Sequence, residues 1–418
     1  MITEKHSHLH TATIDEVLTT VVMARITDFF GFFVYAIASA LVFPKLFFPM
    51  FDPLQGTLMS FAVFSLAFLA RPFASLAARW LQRKIGRTAK VTLALMILGT
   101  STVAIGLLPG FERIGWLAPI LLAVLRVLQG IGLGGSWDGL TLQLQHAAPE
   151  NRQGIYAMVP QIGGPAGFVI AAALFYVLTG FLTEEEFLSF GWRFAFFAVM
   201  AVNVVSLYAR LRLLNADLGN AAELTKTTPL LELLQNHGRQ IILSAFLPLA
   251  SYALFHMVTV FPLGYALLYS DYDITHILMI QLLGGALAII SVIMSGVLAD
   301  RYNRRIVLIF STLLIVCLSL MIGTFATNPW TFLILGFLVL GLSFGQASAI
   351  VPKRFELKYR YSGSALSTNL SWIIGAAFAP LVGLGLTATF GLWSAALYLL
   401  SGAIVTFIAM YFLMREDG

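Results

Sequence analysis

The sequence predicts an all-α integral membrane protein whose twelve transmembrane helices form two six-helix bundles related by pseudo-symmetry. Three observations carry that expectation. Of 418 residues, 59% are hydrophobic and only 11% are charged, with a mean hydropathy of +0.88; a water-soluble chain carries about a quarter charged residues. Runs such as Leu117–Val127, Phe194–Leu207, Ile306–Ile322 and Trp393–Leu413 recur too closely for one globular core, and roughly 20 such residues span a bilayer. A weak internal repeat divides the chain at its longest polar connection, 214–239.

The elements follow in order. A polar tail, 1–15, contains alternating His6, His8 and His10, and no small-residue cleavage site follows the first apolar stretch, so a signal peptide is not expected. Span one, 16–44, carries Arg25, Asp28 and Tyr35. Spans two and three, 55–80 and 89–109, flank the basic loop RKIGRTAKV (83–91). Span four, 116–144, contains RVLQGIGLGGSWDG (126–139), in which Gly130, Gly132 and Gly135 match the G-x-G-x-x-G of dinucleotide sites. Such a fingerprint follows a strand and opens a helix at a phosphate site. Inside an apolar span, Gly130 with Gly134 and Gly135 with Gly139 instead make small-xxx-small faces for close helix approach. Spans five and six, 153–180 and 189–213, complete the first half. Spans seven to twelve are expected at 240–268, 275–299, 305–326, 329–351, 361–388 and 391–414, before a tail at 415–418.

Two pairs of segments support a duplication. RKIGRTAKV (83–91) is similar to DRYNRRIVL (300–308), and ENRQGIYAMVPQIGGPAG (150–167) parallels KYRYSGSALSTNLSWIIGAA (358–377). Two six-span repeats are an architecture of secondary transporters. With both termini cytoplasmic, only Lys45, Arg113 and Arg193 fall on the outer side and Arg25, Arg71 and Arg126 within spans. The rest of the 25 Lys and Arg lie in cytoplasmic segments or at cytoplasmic span ends, as the positive-inside rule requires. The single Cys317 excludes a disulfide framework and a multi-cysteine metal site. No nucleophile–base pair, metal-ligand spacing or cofactor motif survives its context, so neither an enzyme, a cofactor nor a nucleic-acid partner is expected. Lipid, protons and a small molecule are the expected partners of a monomer in the inner membrane.

Gly296-Val-Leu-Ala-Asp300-Arg301-Tyr-Asn-Arg304-Arg305 resembles the G-x-L-x-D-R-x-G-R-R signature of the major facilitator superfamily. ALVFPKLFFP (40–49), FLARP (68–72), RVLQG...GGSWDG (126–139), GWRFAFF (191–197) and RYSGSAL (360–366) more narrowly resemble its metabolite:proton symporter family, the group of α-ketoglutarate, citrate, shikimate and proline/betaine permeases. The stretches run in family order along nearly the whole chain. Departures mark a divergent member: the family's E-W-Y-D is Asp28-Phe-Phe-Gly31, its G-G-E-W is Gly134-Gly135-Ser136-Trp137, and Arg79 and Arg83 replace a glycine and an aspartate. The resemblance implies a central cavity lined by spans one and four. It also implies a cytoplasmic gate built from Gly296, Asp300, Arg301, Arg304 and Arg305, with a weaker counterpart in the first half.

Ionisable groups inside a membrane are expensive and are therefore functional candidates. Asp28 and Arg126, each midway along its span, are expected to face one another. Either they switch with a proton, the neutral acid releasing the arginine to an anionic substrate, or they form a static inter-helix pair. Arg25 is an alternative partner for Asp28. Arg71 and Asp138, toward cytoplasmic span ends, are assigned to the gate or to helix-end contacts. Substrate-binding candidates are Tyr35, Gln129, Trp137, Gln161, Tyr252, His256, Gln281, Gln346, Asn369 and Trp372, polar or aromatic groups on spans expected to line the cavity that equally serve as inter-helix hydrogen bonds. Arg71 and Arg126 favour an organic anion or zwitterion. Proton symport is the leading expectation. A proton-driven exporter and a non-transporting receptor of the same fold are the alternatives.

Overall fold

The structure is a computed structural model that describes residues 14–136, 140–214 and 228–416. Among these residues there is no strand. The spanning elements are α1 (Ile14–Leu41), α2 (Pro53–Ile85), α3 (Arg87–Leu107), α4 (Leu117–Gly135), α5 (Gln153–Phe181), α6 (Trp192–Leu214), α7 (Leu230–Tyr269), α8 (Ile274–Tyr302), α9 (Arg304–Leu320), α10 (Pro329–Ala347), α11 (Leu357–Phe390) and α12 (Ala395–Glu416). Eleven of them are long and apolar enough to cross a bilayer. The shorter α9 has 17 residues, about 26 Å of helix, and a one-turn helix, Thr324–Thr327, follows it.

Helix packing repeats the sequence duplication. α1 packs on α5 and α6 as α7 packs on α11 and α12; α4 lies against α2 and α3 as α10 lies against α8 and α9; α3 meets α6 as α9 meets α12. The same operation exchanges the two seams between halves, α5 with α8 and α2 with α11. The matched loops also share a backbone: Gly86 joins α2 to α3 at φ 86°, and Asn303 joins α8 to α9 at φ 82°. Asn303 is the one non-glycine residue with positive φ among the described residues, a conformation that asparagine tolerates better than most side chains.

The glycines of α4 do what their context suggests. A Cβ on Gly130 would lie 2.4 Å from the Ala67 carbonyl oxygen, and one on Gly134 would lie 2.5 Å from that of Arg71, so α4 and α2 touch backbone to backbone. Gly132 and Gly135 admit Ala94 of α3 in the same way. Gly139 lies outside the described residues, as do Trp137 and Asp138 and the three tail histidines.

α7 is interrupted twice after its kink at His237, into Leu230–Phe246, Leu249–Thr259 and Phe261–Tyr269. Pro262 has no N–H to give the carbonyl four residues earlier. That carbonyl, on Val258, and its neighbour on Thr259 instead accept from Gln281 Nε2 at 2.9 and 2.8 Å. Gln281, read from sequence as a substrate ligand, is thus a brace for a broken helix.

Candidate functional site

The main charged cavity, about 90 Å³, lies between the halves, nearer the face where α1 begins and α12 ends; a larger open groove lies between Gln145 and Lys353. α1 supplies Arg25, Asp28, Phe29 and Phe32, α2 Arg71, the end of α4 Ser136, α6 Arg210, and α11 Thr368 and Trp372. The helical spacing of Arg25, Asp28, Phe29 and Phe32 places them on one face of α1. Three guanidinium groups thus converge on a single carboxylate.

The carboxylate's partner differs from the sequence expectation. Asp28 Oδ2 accepts from Arg210 Nη2 at 2.7 Å, and the same Nη2 donates to the Ala24 carbonyl at 3.1 Å. No ion pair joins Asp28 to Arg126. Arg126 is buried within the first half: its Nη1 donates to Gln129 Oε1 at 3.0 Å, its Nε donates to the Phe64 carbonyl at 3.1 Å, and its guanidinium carbon sits 3.7 Å from the Tyr35 ring centroid. Gln129 passes the contact on to Thr102 Oγ1 at 2.8 Å. α6 reaches Asp28 because Asn203, Ser206 and Arg210, spaced three and four apart, form a buried polar stripe. That stripe is the sequence signal for an inward-facing Arg210, whose position at a span end otherwise reads as one of the cytoplasmic positive charges.

Beyond the cavity an aromatic layer joins the halves. Phe29, Phe32 and Phe33 of α1, Phe64 and Phe68 of α2, Phe255 of α7, Phe344 of α10 and Trp372 of α11 pack at centroid distances of 4.9–6.5 Å. His256 is fully buried inside it, 5.5 Å from both Phe32 and Phe64, and neither ring nitrogen has a hydrogen-bond partner. Such a group is held at a cost of about 1–3 kcal/mol per unmet hydrogen bond.

Of the nine substrate-binding candidates among the described residues, only Trp372 lines this cavity. Tyr252 stands behind it, stacked on Trp372 at 4.2 Å, while Tyr35 and His256 are sealed in the layer and its margin. Gln161 crosses to the second half and donates to Ser348 Oγ at 2.6 Å. Asn369 donates to Ser75 Oγ at 3.2 Å across the α2–α11 seam. Gln346 belongs to the other seam: it accepts from Arg304 Nε at 3.0 Å and donates to the Gly154 carbonyl at 3.1 Å.

At the α5–α8 seam Asp300 accepts from the backbone N–H of Gly154 and, at 3.1 Å, from that of Ile155, a carboxylate on a helix N-terminus. Gly154 and Gly296 face each other there: a Cβ on Gly296 would lie 3.3 Å from the Gly154 carbonyl oxygen. Arg304 adds bonds to the Ala349 and Gln153 carbonyls. The expected four-charge network is smaller than its signature implied. Arg301 is exposed beside Tyr302, and Arg305 lines a different groove with Leu247 and Met410. Arg71, assigned to the gate, lines the main cavity.

A helical membrane protein of two repeated bundles, with a charged cavity between them and a sealed seam at one face, is the class that fold and site define. The Major Facilitator Superfamily profile matches residues 28–371, and the chain belongs to that family. It is 36% identical to the Inner membrane metabolite transport protein YhjE of Escherichia coli (strain K12), over 95% of this chain and 93% of that protein. It is 31% identical to the Shikimate transporter of the same strain, over 94% and 92%. A crystal structure of a D-xylose-proton symporter superimposes with a TM-score of 0.72 at 14% identity, covering 95% of this chain and 97% of that one.

Proposed function

We propose that this protein is a proton-coupled symporter that carries a small organic anion into the cell by alternating access. It works as a monomer in the cytoplasmic membrane with both termini in the cytoplasm. Residues 16–213 and 240–414 are its two moving bundles, and 214–239 is the connection between them.

The observation that carries the reading is that Arg25, Arg71 and Arg210 share one cavity with a single carboxylate, Asp28, which Arg210 already holds. An intramembrane charge cluster of that sign selects an anion. The names of the relatives, a metabolite transport protein and a shikimate transporter, support a small-molecule cargo. Asp28 is the proton carrier, and Arg210 takes the counter-ion role first assigned to Arg126. With Asp28 ionised, Arg210 is neutralised from within the protein. A proton on Asp28 releases Arg210, and the substrate's negative group replaces the carboxylate. The net charge of the cavity is then unchanged only when a proton and a singly charged anion are loaded together, which is symport.

The test is uptake of organic acids into proteoliposomes under an inward proton gradient. Asp28→Asn is expected to abolish gradient-driven accumulation while exchange of substrate across the membrane continues. Undiminished accumulation by that variant removes Asp28 from coupling, and efflux under the same gradient reverses the direction.

A further inference from the structure

A second, smaller cavity lies behind Asp28, inside the first half, between α1, α3, α4 and α6. Asp28 is a wall of both cavities. Gly31, with no side chain, also lines the small one; a Cβ there would lie 2.9 Å from Val199.

Three wall residues of this chamber present buried polar atoms with no hydrogen-bond partner in the protein: Asp28 Oδ1, Asn203 Nδ2 and Arg126 Nη2. Asn203 is 5% exposed and Arg126 1%. The remaining polar side chains of the wall are satisfied, Thr27 by the Met23 carbonyl and Gln129 by Arg126 and Thr102. The three unmet atoms are two donors and one acceptor around a space for about one water molecule. A water accepts from two donors and donates to a carboxylate, and two to four such partners are what a buried water needs.

We propose that this chamber is an internal water site, in which a water held by Asn203 and Arg126 donates to the Asp28 carboxylate from behind. Asn203 is then a positioning residue for proton coupling. On the cavity side Asp28 meets Arg210, whose contact the substrate changes; on the chamber side it keeps a donor that substrate cannot reach. The charged and titratable groups around it are Arg25 on α1, Arg71 on α2, Arg126 on α4, Arg210 on α6, and Tyr252 and His256 on α7. The water is a neutral donor to the Asp28 carboxylate. It favours the ionised carboxylate without adding charge.

The inference rests on Asp28 being the proton carrier, and two measurements keep the failures apart. A map of the wild-type protein that resolves ordered water is expected to show one within hydrogen-bond distance of Asn203 Nδ2 and Asp28 Oδ1. A dry chamber overturns the site whatever drives transport. In uptake, Asn203→Leu removes the donor and fills the space, so the ionised form loses a hydrogen bond. The pH of half-maximal uptake is expected to rise by about one to two units, the worth of a hydrogen bond to a charged group, with the substrate KM at low pH retained. Asn203→Ser, which leaves a hydroxyl and room for a second water, is expected to keep the wild-type profile. Coincident profiles for the wild type and Asn203→Leu overturn the positioning role, as does a KM change with no movement of the profile.

Discussion

His256 is the residue whose surroundings ask most for an explanation. Its imidazole is fully buried among Phe32, Phe33, Phe64, Phe68, Phe255 and Trp372 with neither nitrogen hydrogen-bonded. The rings come from both halves, so the box exists only while the halves are closed on this side, and opening exposes the imidazole. His256→Leu, of similar volume and without unmet polar atoms, is expected to stabilise the closed protein by about 1–2 kcal/mol, read as a higher melting temperature, while lowering uptake. A destabilised variant means that the imidazole contributes to the closed state as it stands. Arg210 teaches a complementary lesson. Its type and position were plain in the sequence, but only the polar stripe it shares with Asn203 and Ser206 turns it inward, and the stripe has no meaning until α6 has a neighbour. Tyr35 and Gln129, read from the sequence as substrate-binding candidates, hold Arg126 in place and do not line the main cavity.

At the scale of helices, the two seams are built from different chemistry. α5 and α8 are held near the terminal face by Asp300 on the first N–H groups of α5, by Arg304, and by Gln346. α2 and α11 meet through the neutral pair Ser75 and Asn369; Arg83, at the position matching Asp300, is exposed. A charge on a helix terminus is worth more than a neutral bond, about 1.5–3 kcal/mol against 0.5–1.5, so Asp300 is a strong single clasp across the α5–α8 seam. Asp300→Asn keeps the shape and removes the charge. It is expected to raise cysteine-accessibility labelling on the terminal face roughly tenfold, the ratio that about 1.4 kcal/mol produces. Unchanged labelling means that the clasp does not hold the face closed. The motif announced this clasp by its aspartate and arginines, but not which arginine reaches across. Arg304 turns toward α5 and α10, whereas Arg301, three positions earlier and before the Asn303 turn, is left outside.

For the whole molecule, alternating access requires both seams to part. The side chains of Ser75 and Asn369 meet across one of them at 3.2 Å, so cysteines at these positions are within reach of a short bifunctional thiol reagent. With Cys317, the chain's only cysteine, replaced by serine, the double variant Ser75→Cys/Asn369→Cys is expected to lose uptake when joined by a bis-methanethiosulfonate and regain it on reduction. Full uptake by the cross-linked protein would show that this seam stays shut throughout the cycle.

The sequence by itself determined the class of the molecule. A bilayer admits only spans that satisfy their own backbone groups, so apolar run length dictates the helices, and a duplicated charge and loop pattern dictates that they come in two related halves. Tertiary structure decided which charges meet. Asp28 and Arg126 each lie midway along a span, and no spacing rule says that Arg126 turns to Tyr35 and Gln129 while Arg210 comes from α6 to Asp28. Helical periodicity fixes the face on which a side chain stands but not the neighbour that face receives. That neighbour depends on how twelve helices share one packed volume.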